Sequence, residues 1–164
     1  MEEVFIQNAV AYASQRNLQL AERLGFGIHG IIFVAEDKRG GGKTAIKAHR
    51  EEDPYRRELS VYARLQQIGV TEILGFNVPL LVGADDVLRV IEMSIVMRPF
   101  VLDFAGAYLD APPSFSNEIW AAWAAEKQDQ FEIHWPKVLA VLAALEEMDI
   151  YMVDVSPSNI AFVG

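Results

Sequence analysis

Residues 18–49 read LQLAERLGFGIHGIIFVAEDKRGGGKTAIKAH, and the placement of the glycines and of one lysine in this stretch decides the fold. Leu18 to Leu24 alternates well enough for a strand, and Gly25, Gly27 and Gly30 then make a GxGxxG. In a dinucleotide-binding βαβ unit such glycines open directly into a helix. Here Ile31, Ile32, Phe33 and Val34 follow, a β-branched and aromatic run that specifies a second strand. A polar, glycine-rich hairpin then leads into the strand Thr44-Ala45-Ile46-Lys47. The first glycines thus form a flap between antiparallel strands. Such a flap lets backbone approach phosphate oxygens with no Cβ in the way, although an ordinary glycine hairpin has the same local sequence. Lys47 interrupts an apolar strand, so either a ligand or partner needs it or it lies at a strand end with its head in water.

The segment Gly25 to Ile32 followed by Ala45 to Lys47 resembles the amino-terminal lobe of protein kinases and their relatives, with its GxGxxGxV loop and AxK strand. The resemblance implies that Gly25, Gly27 and Gly30 cover phosphates, that Ile32 and Ala45 cover an adenine, and that Lys47 holds phosphate oxygens.

The chain on either side extends the pattern. Glu2 to Arg16 reads as a short helix ahead of the sheet. Pro54 in a first turn starts a helix to about Gln67, ended by Gly69, with Leu59, Val61, Tyr62 and Leu65 as its apolar stripe. Glu58 lies beside that stripe. The run ExxVYxxL resembles the family helix whose glutamate pairs with the strand lysine, which implies a Glu58–Lys47 pair, with Glu51 and Glu52 as reserves. A solvated Glu58 pairing with Arg57 or Arg64 is the plain alternative. Two more strands, about Pro79 to Val82 and Leu88 to Val96, bring the sheet to five and run into Met97, Arg98, Pro99 and Phe100. That tetrapeptide resembles the hinge between kinase lobes, whose backbone would bond an adenine edge. Asp103 beyond it is a candidate for ribose hydroxyls or for a helix cap.

Ser116 can cap a helix over about Asn117 to Phe131, on which Trp120 and Trp123 read as core or interface residues. Trp135 and Pro136 open another, to about Met148, with the stripe Val138, Val141, Leu142, Leu145 and Met148. The DxxxxN of Asp154 and Asn159 follows. Alone it would be a common turn. In this order it resembles the catalytic loop, which implies Asp154 as the base toward an attacking hydroxyl and Asn159 as a magnesium ligand. Met152 and Val153 stand where that loop has histidine and arginine, and the sequence stops at Gly164, before any DFG aspartate.

The reading is therefore an α+β, kinase-like fold. It has a lobe at 1–100, with a five-stranded antiparallel sheet and a glutamate-bearing helix, and a reduced helical lobe at 101–164. The implied function is ATP binding with magnesium weak or absent and with little or no phosphotransferase activity, as in pseudokinases. The alternatives are a minimal phosphotransferase that uses Asp154 and recruits Asp103 or Asp110, and a dimeric interaction scaffold.

Composition limits the other classes. With 14 Lys and Arg against 23 Asp and Glu, a net charge of −9 disfavours a broad grip on nucleic acid. The absence of cysteine excludes disulfides and thiolate metal sites and fits a cytoplasmic protein. No apolar run reaches the length of a membrane span. The stripe before Asp154, lacking later helices to cover it, leads to the expectation of a homodimer through the carboxy-terminal helices.

Overall fold

The computed structural model describes residues 2–26 and 29–164. Helix α1 (Glu2–Gln15) leads into β1 (Leu18–Phe26), β2 (Gly30–Asp37) and β3 (Lys43–His49), and helix α2 (Glu52–Ile68) follows. After the short strands β4 (Glu72–Ile73) and β5 (Phe76–Asn77), β6 (Leu81–Asp85) and β7 (Val90–Met93) complete an antiparallel sheet in the order β1-β2-β3-β7-β6. Five strands are present as expected, but the fourth runs Leu81–Asp85 instead of Pro79 to Val82, the turn is 86–89, and the fifth is only Val90–Met93 because Leu88 and Arg89 belong to the turn and Ser94 to Val96 leave the sheet.

The period of two assigns each face of this sheet to a different partner. Ile31, Ile46, Ala48 and Val90 join Phe5, Ala9, Tyr12 and Ala13 of α1 in one core. Ala45, Ile91 and Met93 point the other way, into a larger core with Tyr55, Val61, Tyr62 and Leu65 of α2. One buried carboxylate interrupts the α1 side. Glu92 accepts bonds from the Tyr12 hydroxyl at 2.9 Å, Arg16 Nε at 3.0 Å and the Thr44 hydroxyl at 2.8 Å. Burial, and then Glu92, push the Tyr12 phenol up to about 12. The helix that the sequence presents as a buttress is thus pinned by a polar contact.

Helix α2 begins two residues before Pro54, with Glu52 and Asp53 in its first turn where the helix dipole favours them. It stops at Gly69, whose left-handed φ of 86° lets its amide return to the Leu65 and Gln66 carbonyls.

The second half is tied together by strands of only two residues. Strands β8 (Phe100–Val101) and β11 (Ile160–Ala161) pair antiparallel in a small sheet ordered β11-β8-β5-β4, and β9 (Tyr108–Leu109) pairs with β10 (Ile150–Tyr151). Helix α3 (Asn117–Phe131) is capped by the Ser116 side chain as expected, and α4 (Trp135–Glu146) follows a single 3-10 turn. Within this one chain Val138, Val141, Leu142 and Leu145 are buried in one core with Phe104, Ile150, Val155 and Ile160, whereas Met148 lies beyond the helix end and is half-buried. The short strands supply the cover that the sequence reading sought in a second copy, so the stripe gives no reason for a homodimer. Among the described residues no helix is long and apolar enough to cross a membrane.

Truncating α4 at Leu145, which is fully buried, removes packing on several sides. Leu145→Ala is expected to cost about 2–5 kcal/mol in urea unfolding, whereas Ile133→Ala, at an exposed position, should change stability by less than about 0.5 kcal/mol.

Candidate functional site

Between the five-stranded sheet and the β8–β11 wall lies a cavity of about 520 Å3. Its roof is Leu24, Gly25, His29, Gly30, Ile32 and Ala45; its rear is Lys47, Glu58 and Tyr62; its floor is Asp154, Ser158 and Asn159. The sequence candidates Gly25, Gly30, Ile32, Ala45, Lys47, Glu58, Phe100, Asp154 and Asn159 therefore all border one space. Gly27 lies outside the described residues.

Gly30 has a structural reason to be glycine besides any ligand. A Cβ there would run into the Ala48 carbonyl of the neighbouring strand. At Gly25 a Cβ would make only ordinary contact with Ile32, so that position is held open by no such constraint.

Lys47 and Glu58 meet at 2.7 Å, both out of contact with water. The reserves are not used: Glu52 pairs with Arg56 on the surface, and Glu51 is exposed ahead of α2. Glu58 Oε1 also lies 2.8 Å from His49 Nε2, and its Oε2 accepts the Phe104 amide at 2.9 Å. Burial alone would raise the Glu58 carboxyl, but Lys47 and then His49 outweigh it and hold the group down at about 2. Burial likewise would lower Lys47, and Glu58 with Asp103 hold it above its ordinary range instead.

Asp103 is the residue whose place the sequence did not reveal. Its carboxylate Oδ1 receives Lys47 Nζ at 2.9 Å, and it lines the cavity. It neither caps a helix nor lies near the rim. Its φ of 70° is a left-handed conformation that costs an L-residue about 1 kcal/mol or more, and the Lys47 contact offsets that cost. The other reserve acid, Asp110, pairs with Arg64 at 3.0 Å on the surface and does not line the cavity.

The rim differs from the expected hinge. Met97 and Arg98 are exposed and do not border the cavity. The reason is Asn77, whose amide side chain donates to the Met97 carbonyl at 2.9 Å while its backbone amide donates to Pro99. This turns the segment outward. Ser94, Ile95 and Val96 form the rim instead. Ser94 is engaged with Leu80 through both its amide and its hydroxyl, whereas the peptide groups of Ile95 and Val96 make no hydrogen bond among the described residues.

On the floor, the Asn159 carboxamide closes its own loop. It accepts the Ser156 amide at 2.8 Å and donates to the Asp154 carbonyl at 2.8 Å. One lone pair of its oxygen is left over. Trp123 reaches across from α3 and donates to the Val153 carbonyl at 2.9 Å, which fixes the chain just ahead of the exposed Asp154. Trp120 and Trp123 were expected in core or interface; Trp123 is half-buried against the core and Trp120 is half-buried outside it, and the hydrogen bond left no mark in the sequence. At the rear, the Tyr62 hydroxyl is buried beside Glu58 and the Asp103 backbone. Burial and then the nearby Glu58 charge push this phenol far above its ordinary range.

The network sets an acid limit. Since Glu58 is lowered from 4.5 to about 2 on folding, its contribution is complete above pH 4.5 and is lost as pH falls toward 2. The loss should be on the order of 3 kcal/mol. Lys47, raised in the fold, contributes fully below its unfolded value and loses that contribution only above it. Thermal scans should therefore show Glu58→Gln less stable than the parent at pH 7, with the gap closing between pH 4.5 and 2. A constant gap across that window would contradict the assignment.

No protein-family model matches this chain, and none of the curated proteins is similar enough to match it.

Proposed function

We propose that this chain is an ATP-binding protein of kinase-like fold, with the nucleotide lying in the cavity between the glycine turn and the Asp154–Asn159 loop. The single observation that carries the reading is the Lys47–Glu58 pair, a cation held out of water at the back of an open cavity under a glycine-rich roof. A buried ion pair of this kind is a poor source of stability, because desolvation takes back most of the attraction. It does orient an ammonium toward incoming phosphate oxygens.

The remaining walls suit the remaining parts of the ligand. Ile32, Ala45 and Met93 offer apolar surface to a flat base. The unengaged peptide groups of Ile95 and Val96 supply a donor and acceptors for its edge, in place of Met97, Arg98 and Phe100. Gly25 allows close approach of backbone to phosphate. Asp154 stands exposed at the floor, where it can accept the proton of an attacking hydroxyl.

That last point favours a second reading, slow phosphoryl transfer with Asp154 as base. Transfer needs charge neutralisation at the phosphates in addition to a base. ATP binding is the primary proposal, and turnover well below about 1 per second is the expected companion.

Ala45 tests the primary claim better than Lys47, whose removal would strand the buried Glu58. Ala45 is buried but borders the cavity, so Ala45→Leu should cost about 1–3 kcal/mol at most, checked by thermal unfolding, while calorimetry should show ATP affinity falling at least tenfold. No ATP binding by the parent at millimolar nucleotide, or equal affinity in the variant, would sink this reading.

A further inference from the structure

We propose that His49 is a positioning residue held as an imidazolium, whose charge shares Glu58 with Lys47 and so leaves the Lys47 ammonium available to the phosphate oxygens of a nucleotide. The charge of His49 stands on its own geometry; its bearing on Lys47 rests on the nucleotide reading.

His49 closes β3 and is fully buried between α2 and the turn that joins β6 to β7. Its Nε2 lies 2.8 Å from Glu58 Oε1, and its Nδ1 lies 3.2 Å from the Arg89 carbonyl oxygen. Both neighbours can only accept. A carbonyl has no proton to give, and Lys47 at 2.7 Å keeps the Glu58 carboxyl ionised. A neutral imidazole carries one N–H, so either tautomer would set a bare ring nitrogen against an oxygen lone pair where solvent cannot intervene. With a proton on each nitrogen, both contacts are hydrogen bonds.

The surrounding charges ask for the same form. From α2 the ring meets Glu58 and the edge of Tyr55, with ring centroids 5.5 Å apart. From the β6–β7 turn it meets the Arg89 carbonyl, and from β2 its register partner is Gly30. One step further out, Lys47 and Tyr62 adjoin Glu58, Asp103 binds Lys47, and Asp86 accepts the Tyr55 hydroxyl at 2.6 Å. Asp86 is matched by Arg56 at the surface. Within the bonded set, Lys47 contributes +1 and Glu58 and Asp103 contribute −1 each, which leaves −1. The imidazolium brings the set to zero, so no buried charge is uncompensated.

The period of two in β3 puts positions 47 and 49 on one face, so both cations reach the same residue of α2 and the same oxygen, Oε1. When Lys47 turns toward an incoming phosphate, Glu58 keeps His49 on Oε1 and the Phe104 amide on Oε2. A neutral His49 would leave Lys47 as the one cation for two carboxylates, and an anionic ligand would compete with both. The imidazolium charge is present at low pH and lost as pH rises. Nucleotide affinity should therefore fall as the ring gives up its second proton.

The chain has three histidines, His29, His49 and His134, so His29→Gln and His134→Gln assign the ring nitrogen-15 resonances of the full protein by elimination. At pH 7 both ring nitrogens of His49 should be protonated. One protonated and one bare nitrogen overturns the proposal, with no variant needed at position 49. Calorimetric titration with AMP-PNP in EDTA, on either side of the pH at which that ring loses its proton, reads the consequence. Affinity of the parent should fall at least ~10-fold across the step. His49→Gln, which keeps a donor to Glu58 without the charge, should bind weakly on both sides and show no step. An equal step in His49→Gln, or unchanged affinity in the parent, overturns the role assigned to His49. A parent that binds no nucleotide at either pH overturns the nucleotide reading, while the ring spectrum still decides the charge of His49.

Discussion

A carboxylate without access to water must be met by donors on its lone pairs or lose its charge, and Glu58 is met on both oxygens. Lys47 and His49 approach one from β3, and the Phe104 amide approaches the other from the segment that follows β8. Three segments distant in sequence, a central strand, helix α2 and the start of the second half, are therefore fixed at one carboxylate. The cavity forms where they meet. Its rear wall is rigid because its parts cannot separate without stranding a charge, which is the costly event in a buried pair. Arg57 reinforces the same junction from α2 by donating to the Ala105 carbonyl at 2.9 Å.

Much of this was legible in residue patterns. The strand period in Ile31 to Ala35 and Thr44 to Lys47, the stop at Gly69, the Ser116 cap and the apolar spacing of α4 are local signals, and each element lies where its signal put it. The partner of Lys47 was expected from the resemblance of ExxVYxxL to the family helix, while the stripe alone left a solvated Glu58 equally open, and the pair is formed.

What escaped the sequence has a common cause. Strands β4, β5 and β8 to β11 are two residues long, too short for any period, so the pairing of Val101 with Ile160 left no trace beyond an apolar pair running into an aspartate. Asp103 was consequently read as a ribose ligand or a cap, and the α4 stripe as uncovered. The rim failed for a different reason. Asn77 turns Met97 to Pro99 away through side-chain and backbone bonds, and an asparagine twenty residues earlier carries no sequence mark of that role.

Helix α1 has a consequence for the cavity that its position on the opposite face conceals. Glu92 is satisfied by Tyr12 and Arg16 of the α1 region and by Thr44, and it lies two residues from Ser94 on the strand that becomes the rim. Undocking α1 would leave that carboxylate short of donors between β3 and β7, so water would have to enter the sheet beneath the rim. The docking of α1 and the strand that leads to the rim therefore share one buried carboxylate. The amino-terminal helix thus bears on the strand behind the cavity without touching the cavity itself.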